Sequence, residues 1–513
     1  MHMSSKDKKI AKNSIYLLSR TLLLTVISLY TMREILHVLG VEDYGLFNLI
    51  YGIVALFTFA NGALTASTQR FLSYKIGEND NQGVKNVFYS SVEIHLLLAS
   101  IIILISFLFK DYILNELLNI KNMQYEANII YNLALFSVFI SIFQSPFTAL
   151  ITSYEKMEIF AYISLLEAGA KLCVVYLLYV FSGEKIILYS SYLLIISVFI
   201  FIIYSFFCIK KIPNIFKEIN EVDMRKYRKE ILNFMGWSLI GNLAWISRIQ
   251  GVNVILNIFY GVSVNAVYAI SINVSNVINS FFLSVSNAIK PQIFKSYAQG
   301  DINRFHKLIS KGTKYNLIGL LIFVIPLIIL INETLFFWLK EVPSNAAIFI
   351  ELSLVILFFE ISSSFLITGI QATGKISLYQ FILGGLILLN LPIIYVLLYW
   401  GASVESSFYV LIFISAISLI ARLIFIYKYT GYNLKLYFNE VVVPIVFSIL
   451  IIYCFDYILY NSLMKYYYIE FTEFLNLFFM AFILIVVNIL ISLIFALDKA
   501  EKNIVFSYIK KLF

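Results

Sequence analysis

The chain has 513 residues, of which 61% are hydrophobic and 13% are charged, and its mean hydropathy is +0.87. A water-soluble domain of this composition would expose large apolar patches, so the composition indicates a polytopic membrane protein. The net charge of +8 does not point to nucleic acid as a partner, because the basic residues fall in the predicted cytoplasmic loops.

Apolar segments of about 20 residues predict fourteen transmembrane helices. With the N-terminus in the cytoplasm, most of the 38 Lys and Arg residues lie on the cytoplasmic side, and an error of one span would destroy this asymmetry. Both termini are therefore predicted to be cytoplasmic. The predicted spans are 14–39, 45–67, 86–109, 127–151, 160–181, 186–209, 232–258, 264–289, 314–331, 347–371, 378–400, 406–427, 441–460 and 474–496.

Short segments recur at a nearly constant offset along the chain. The stretch QRFLSYKIGE (Gln69–Glu78) returns 223 positions later as QIFKSYAQGD (Gln292–Asp301), and the turn at Gly40 returns 221 positions later at Gly261. The offset covers six spans, an even number, so the two halves share one orientation and are predicted to be related by a pseudo-twofold axis along the membrane normal.

This repeat divides the chain into six predicted segments. They are a cytoplasmic tail (1–13), an N-terminal lobe of spans 1 to 6 (14–209), a cytoplasmic amphipathic linker (210–231), a second lobe of spans 7 to 12 (232–427), the C-terminal spans 13 and 14 (428–496), and a cytoplasmic amphipathic tail (497–513).

No motif of the sequence predicts catalysis or a metal site. The four histidines are scattered, no HExxH or GxSxG pattern occurs, and the three cysteines have no paired spacing. The segment 369–376 departs from a P-loop at Ile376, where Ser or Thr should stand. We therefore predict that the chain is not an enzyme and needs no cofactor, apart from a coupling ion, H⁺ or Na⁺.

Ionisable residues inside spans are the candidates for function. Each costs about 2.5 to 3.5 kcal/mol at a helix centre on insertion scales, so such a side chain usually faces protein or a water-filled cavity. Arg248 in span 7 and Arg20 in span 1, the corresponding span of the other lobe, are candidate cations for an anionic group such as phosphate. The alternative is that each arginine pairs with a neighbouring carbonyl or carboxylate.

Other candidates lie on spans 3, 5, 7 and 10. Glu167 and Lys171 are four residues apart and are predicted to pair, although Lys171 is also a candidate cavity cation. Glu360 has no cationic neighbour at helical spacing and is a candidate for proton uptake. The remaining cavity-lining or ion-coupling candidates are Glu93, His95, Asn242, Gln250 and Asn253.

Two pairs among the charged residues allow a structural explanation instead. Glu93 and His95 on span 3 could form a buried hydrogen-bonded pair rather than a relay. Arg33 and Glu34, near the outer end of span 1, are predicted to extend to the membrane interface.

The segments LGVEDYGLFNL (39–49) and TQRFLSYKIGE (68–78), the ATGK turn (372–375) and the two terminal spans resemble the Wzx-type O-antigen and polysaccharide flippases. These belong to the multidrug/oligosaccharidyl-lipid/polysaccharide (MOP) exporter superfamily. The resemblance covers the whole chain and implies a MATE-like all-α fold, in which two six-helix lobes surround a central, often cationic cavity.

The resemblance also implies a function. It predicts a protein of the bacterial inner membrane that moves undecaprenyl-pyrophosphate-linked oligosaccharide from the cytoplasmic to the periplasmic leaflet by alternating access, driven by an ion gradient or the membrane potential. The implied partners are this lipid-linked oligosaccharide, the lipid bilayer, a polysaccharide polymerase and a chain-length regulator. Arg20 and Arg248 match the expected pyrophosphate-binding cations by position only.

Three alternatives remain open at this point. A multidrug antiporter of the same superfamily would share the fold but favour a central acid. A major-facilitator carrier also has two parallel six-span halves, but its Gly-x-x-x-Asp-Arg-type signature is absent from residues 68–85. A membrane glycan polymerase is the enzymatic alternative, and the short predicted outer loops disfavour it.

Overall fold

In a computed structural model the chain is described except for residues 1–4, 57–58, 121–122, 155, 182, 213–214, 216–220, 340, 376, 468–473, 499–500 and 504–513. The described residues form helices joined by short turns, with no strand among them. The helices are α1 (Ser5–Leu56), α2 (Phe59–Gly77), α3 (Asn81–Asp111), α4 (Gln124–Ser153), α5 (Met157–Val180), α6 (Lys185–Lys211), α7 (Glu221–Tyr260), α8 (Val262–Ala298), α9 (Ile302–Ile329), α10 (Ile331–Trp338), α11 (Ala346–Ala372), α12 (Ser377–Leu388), α13 (Asn390–Tyr399), α14 (Ser406–Thr430), α15 (Leu434–Tyr437), α16 (Val443–Tyr467) and α17 (Phe474–Phe495), with π-helical segments at Tyr112–Leu117 and Phe438–Val442.

The helices confirm the prediction of an all-helical polytopic protein. Within the described residues, twelve helices are long and apolar enough to cross a membrane. One of these stretches, Leu23–Leu56, is interrupted at Gly40, whose φ of 80° is not helical, so it contains the first span and the beginning of the second. The helices α2 and α7 occupy the remaining predicted positions of the second and seventh spans.

The turns at Gly40 and Gly261 repeat in backbone conformation. Gly40 (φ 80°) ends the first span and Gly261 (φ 78°) ends α7, and a new helix begins directly after each glycine. Both values lie in the left-handed region that favours glycine. The structure therefore confirms the repeat at these turns, at the offset of 221 that the sequence predicts.

The turns before α3 and α9 repeat at the same offset of 221. Asn79 and Gly300 both have positive φ, at 57° and 73°. The next residues, Asp80 and Asp301, are the N-caps of α3 and α9, and each side chain accepts a hydrogen bond from the backbone N–H three residues ahead. The sequence match at 223 pairs Glu78 with Asp301. The backbone instead pairs Asp80 with Asp301, because these two residues perform the same capping role.

The chain divides into two compact units. The first contains residues 1–269 and 384–407, and the second contains residues 270–383 and 408–513. Thus α7, which the sequence assigns to the second lobe, groups with the six N-terminal spans. Its side chains account for this grouping: Arg228 pairs with Glu93 on α3, and the Lys75 ammonium lies 5.7 Å from the ring centroid of Tyr227.

Part of the predicted cytoplasmic linker belongs to helix α7. Residues 221–231 are the first turns of α7, and Tyr227 and Ile231 are buried. The Ser67 hydroxyl on α2 donates a hydrogen bond to the carbonyl of Ile231. These residues therefore pack on protein, whereas residues 213–214 and 216–220 of the predicted linker lie outside the described residues.

In the second unit, a buried ionic cluster attaches the segment after the last span to α9. Glu501 is only 3% exposed, and its carboxylate contacts the Lys314 Nζ at 2.7 Å and the Lys311 Nζ at 3.2 Å. The Tyr315 hydroxyl donates to the same carboxylate at 2.9 Å. The remainder of the predicted amphipathic tail, residues 504–513, is not among the described residues.

Acid should weaken this cluster. Burial opposes ionisation of Glu501, but hydrogen bonds from Lys314, the Asp498 backbone N–H and Tyr315 outweigh it and lower the pKa of Glu501 to about 2 from an ordinary value of 4.5. A lowered pKa stabilises the fold above pH 4.5, and this stabilisation is lost as the pH falls toward 2. In thermal unfolding, Glu501→Gln should be less stable than wild type at neutral pH, and the difference should shrink across this window. The exposed Glu116→Gln is the control, and an equal pH profile for both variants would contradict the assignment.

The first unit contains one very close approach between repeated turns. A Cβ built on Gly45 would overlap the carbonyl of Val262 and lie 3.4 Å from the backbone nitrogen of Ala266. Only a glycine lets the two backbones approach this closely.

Alanine substitutions at two helical glycines should therefore have opposite effects. Gly45→Ala should lower the melting temperature, because the backbones must separate. Gly169→Ala should be neutral or stabilising by up to about 1 kcal/mol, because a Cβ at this position would have no neighbour within 4 Å among the described residues and alanine is the better helix former. Thermal unfolding of the purified protein measures both effects, and equal melting temperatures would contradict the close contact.

Candidate functional site

A row of polar side chains follows the contact between α1 and α5. The two helices run in the same direction, since contacts at low residue numbers on one helix join low numbers on the other. We call this row the polar strip. Its members are Arg20, Tyr30, Glu34 and His37 on α1, and Glu167, Lys171, Tyr176 and Tyr179 on α5.

Arg20 occupies the end of the polar strip nearest the N-termini of α1 and α5. Its guanidinium carbon lies 4.6 Å from the ring centroid of Phe160, in the first turn of α5. Glu167 attracts it electrostatically. Its Nε is buried and has no hydrogen-bond partner among the described residues. Arg20 is therefore held in place by a ring while at least one of its donors remains available.

Glu167 and Lys171 form the middle of the polar strip and pair as predicted. The Lys171 Nζ lies 2.6 Å from the Glu167 Oε1, and the side chains are 43% and 38% exposed. They lie near the centre of α5, at a depth where charged groups exposed to hydrocarbon are costly. Their exposure therefore indicates that this face of α1 and α5 contacts water rather than lipid.

The opposite end of the polar strip is a hydrogen-bonded group. The hydroxyls of Tyr30 and Tyr176 are 2.6 Å apart, and Tyr179 donates to Glu34 at 3.0 Å. The His37 Nδ1 lies 2.9 Å from the Tyr179 hydroxyl. The prediction that Glu34 extends to the interface is wrong: it is 5% exposed, because Tyr179 supplies a partner inside the protein.

Arg248 lies at a different depth from Arg20. It is 9% exposed on α7, with its guanidinium carbon 5.4 Å from the ring centroid of Trp245. It precedes Gly261 by 13 residues, whereas Arg20 precedes the equivalent Gly40 by 20. Seven helical residues correspond to about 10 Å. The two arginines are thus not repeat equivalents, and Arg248 lies nearer the C-terminal end of its helix.

Gln250 and Asn253, predicted to line a cavity, are found at a helix contact. A Cβ on Gly52 of α1 would overlap the Gln250 Oε1 and lie 3.0 Å from the Asn253 Nδ2. Asn253 also donates to the carbonyl of Asn48 at 3.4 Å. These side chains therefore join α7 to the N-terminal spans. The side chain of Asn242 is not among those described.

Asn253 is part of a buried network of amides. The Asn265 Nδ2 donates to the Asn253 Oδ1 at 2.7 Å, and the Asn257 Nδ2 donates to the Asn265 Oδ1 at 3.1 Å. The Asn257 Oδ1 accepts the backbone N–H of Asn119 at 2.9 Å. We call Asn253, Asn257, Asn265 and their backbone partners the asparagine network. Asn257 and Asn265 were not among the residues predicted from sequence, although the four-residue spacing of Asn253 and Asn257 marks one helix face.

The other predicted residues lie apart from the polar strip. Glu93 accepts from Arg228 at 2.8 Å, while the buried His95 places its Nδ1 2.7 Å from the carbonyl of Ser91. Glu93 and His95 thus have separate partners, which does not support a pair between them. Glu360 is half-buried on α11 in the second unit. The described residues contain no group of three side chains suited to a metal ion.

Comparisons with known proteins agree with this architecture. Residues 18–177 match the MatE family model. An inward-facing multidrug resistance MATE family transporter of the MOP superfamily superposes with a TM-score of 0.64 at 15% identity, over 81% of this chain and 97% of that one. A MOP superfamily transporter from Pyrococcus furiosus, whose binding pocket is described as having reverse polarity, gives 0.61 at 15% identity, over 82% and 94%.

A lipid-transporting structure is similar as well. The lipid II flippase MurJ, in an inward closed conformation, has a TM-score of 0.61 at 14% identity and covers 93% of this chain and 98% of its own. No curated protein sequence matches significantly. The chain therefore has the fold of MOP superfamily transporters and flippases. Its match to the MatE family model covers most of the six N-terminal spans.

Water should reach the polar strip but not the lipid-facing surface. In a variant without the three native cysteines, Lys171→Cys should react with a charged, membrane-impermeant thiol reagent, because only a hydrated thiol ionises. Leu97→Cys, which is exposed in the middle of α3, is the matched control and should react at least about tenfold more slowly. Equal labelling rates at the two positions would show that the polar strip is not hydrated.

Proposed function

We propose that the chain is a flippase that moves an undecaprenyl-pyrophosphate-linked oligosaccharide, the repeat unit of O-antigen or a related surface polysaccharide, from the cytoplasmic to the periplasmic leaflet. It acts by alternating access in the bacterial inner membrane, with both termini in the cytoplasm. A polysaccharide polymerase and a chain-length regulator act on the delivered repeat units.

The observation that carries this proposal is the state of Arg20. Its Nε is buried without a partner among the described residues, and Phe160 holds the guanidinium plane in place. A fixed guanidinium with a free donor is suited to bind a phosphate oxygen. Its place near the cytoplasmic end of the strip agrees with a substrate that enters from the cytoplasmic leaflet.

The length of the polar strip supports the transport of a large polar head. Arg20 and Glu34 are 14 residues apart on α1, which corresponds to about 21 Å of a hydrocarbon layer about 30 Å thick. Charged and hydroxyl groups along this distance replace water around pyrophosphate and sugar. The polyprenyl chain needs no such path and stays in lipid.

The coverage of the structural relatives favours a lipid-linked substrate over a drug. The flippase MurJ matches 93% of the chain and the multidrug transporter 81% of it. The two matches differ in coverage by about 60 of the 513 residues of this chain. This number is similar to the length of the terminal helices α16 and α17 with their connections. A cationic drug would also require an available acid, whereas Glu167 in the polar strip is paired with Lys171.

Transfer of a labelled lipid-linked oligosaccharide across proteoliposomes tests the function. Wild type should transfer the substrate, and Arg20→Gln should reduce the initial rate at least about tenfold, since one charged hydrogen bond contributes about 1.5 to 3 kcal/mol. Arg20→Lys should keep an intermediate rate because it retains the charge without the fork of donors.

The exposed Arg225→Gln on α7 is the matched control and should transfer at the wild-type rate. A full rate for Arg20→Gln would remove Arg20 from substrate binding. Absence of leaflet transfer by wild type under every ion gradient, together with export of organic cations, would replace the flippase with a multidrug antiporter.

A further inference from the structure

The terminal helices of the second unit enclose a carboxyl group that the polar strip does not involve. Asp456, in α16, is fully buried, and so is Asn488, in α17. The Asn488 Nδ2 donates to the Asp456 Oδ2 at 2.9 Å. Asp456 was not among the residues predicted from sequence, although an aspartate inside an apolar span is itself a signal of function.

Several oxygens at this pair are unsatisfied within the described part of the chain. The Asp456 Oδ1, the Asn488 Oδ1 and the Ser492 Oγ are buried, and none has a hydrogen-bond partner among the described residues. Ser492 lies one turn beyond Asn488 on α17. An ionised Asp456 would therefore place two unsatisfied acceptors and a negative charge at membrane depth.

The described surroundings of Asp456 offer no charge compensation. From Asn476 to Phe495, α17 carries no Asp, Glu, Lys, Arg or His. Three other elements contact the terminal pair. On α9, Lys311 and Lys314 pair with Glu501, and Arg304, His306 and Lys307 lie in the first two turns. Glu333 of α10 accepts a hydrogen bond from Tyr460 at 2.6 Å, and Glu440 of the π-helical segment Phe438–Val442 is exposed.

One proton removes the charge and satisfies two of these oxygens. A protonated Asp456 can donate from Oδ1 to the amide oxygen of Asn488, while Asn488 continues to donate to Oδ2, so that acid and amide form a mutual pair. A metal ion fits less well, because Asp456, Asn488 and Ser492 offer only three such oxygens, whereas hard cations take about six oxygen ligands.

We propose that Asp456 and Asn488 form a proton-binding site in the terminal helix pair, at which Asp456 gains and loses a proton during the transport cycle. The coupling role rests on the proposed function, but proton binding itself does not.

A hydrogen-bonded pair lies one helical turn along α16 from Asp456. Tyr460 lies four residues after Asp456 on α16, one turn closer to the outer end of the thirteenth span, and its hydroxyl donates to Glu333. Tyr453 and Tyr457, on the other faces of α16, are exposed. Tyr460 also packs against a buried apolar cluster formed by Leu330, Leu477, Met480 and Leu484. In this proposal, protons reach Asp456 by way of Tyr460 and Glu333.

Infrared difference spectroscopy of the protein in lipid vesicles, recorded across a pH titration, tests proton binding directly. Wild type should show a carboxylic-acid C=O band that disappears as the pH rises. The band should be absent from Asp456→Asn, shifted in Asn488→Leu, and unchanged in the control Glu440→Gln. Identical spectra for wild type and Asp456→Asn would overturn the proposal.

Two further measurements complete this test. The titration is repeated with Na⁺ replaced by choline, and a band that responds to Na⁺ at constant pH would assign a sodium site instead. If Asp456→Asn does not fold, Asp456→Glu replaces it and should keep the acid band at a shifted frequency. An unshifted band in that variant would exclude Asp456 as its source.

Transport separates this proposal from the proposed function. In proteoliposomes, an imposed pH gradient should accelerate oligosaccharide transfer by wild type and by Glu440→Gln, whereas Asp456→Asn should lose this acceleration. If wild type transfers no oligosaccharide but shows the Asp456 band, the flippase assignment fails and the proton site stands. If transfer is accelerated equally in Asp456→Asn, the coupling role of this site fails.

Discussion

The hydrocarbon of a bilayer offers no hydrogen-bond partner, so every polar group at that depth must find its partner in the protein or in water. This constraint explains where the polar residues of the chain lie. The asparagine network is buried and bonded within the protein. Glu167 and Lys171 combine a direct ion pair with exposure to water. Other polar groups keep buried atoms without partners among the described residues, and two of them, Arg20 and Asp456, carry the functional proposals.

Complete and incomplete sets of hydrogen bonds have different consequences. Where all members are bonded, as between Glu501 and the lysines of α9, the contact fixes one segment against another. Arg20 and Asp456 instead retain buried atoms without partners among the described residues. A buried unsatisfied group costs about 1 to 3 kcal/mol. A ligand that satisfies the group recovers this free energy: phosphate for the cation, and a proton for the acid.

Much of the architecture could be predicted because it depends on local sequence. Span length, the glycine turns at Gly40 and Gly261 and the pair Glu167–Lys171 all follow from residues a few positions apart. The partners of Glu34 and Asn257 could not be predicted, since Tyr179 and Asn119 lie 145 and 138 positions away. Sequence patterns along one helix do not specify which face of a distant helix packs against it.

The sequence by itself determined a membrane protein with a duplicated six-span design, because hydrophobic length and backbone-specific glycines are properties of single segments. Only the tertiary structure decided which polar residues are satisfied. It placed Gln250 and Asn253 at a helix contact, buried Glu34, and joined Asp456 to Asn488. The physical reason is that a hydrogen bond depends on the distance and direction between atoms of different helices, and these are set only when the helices pack.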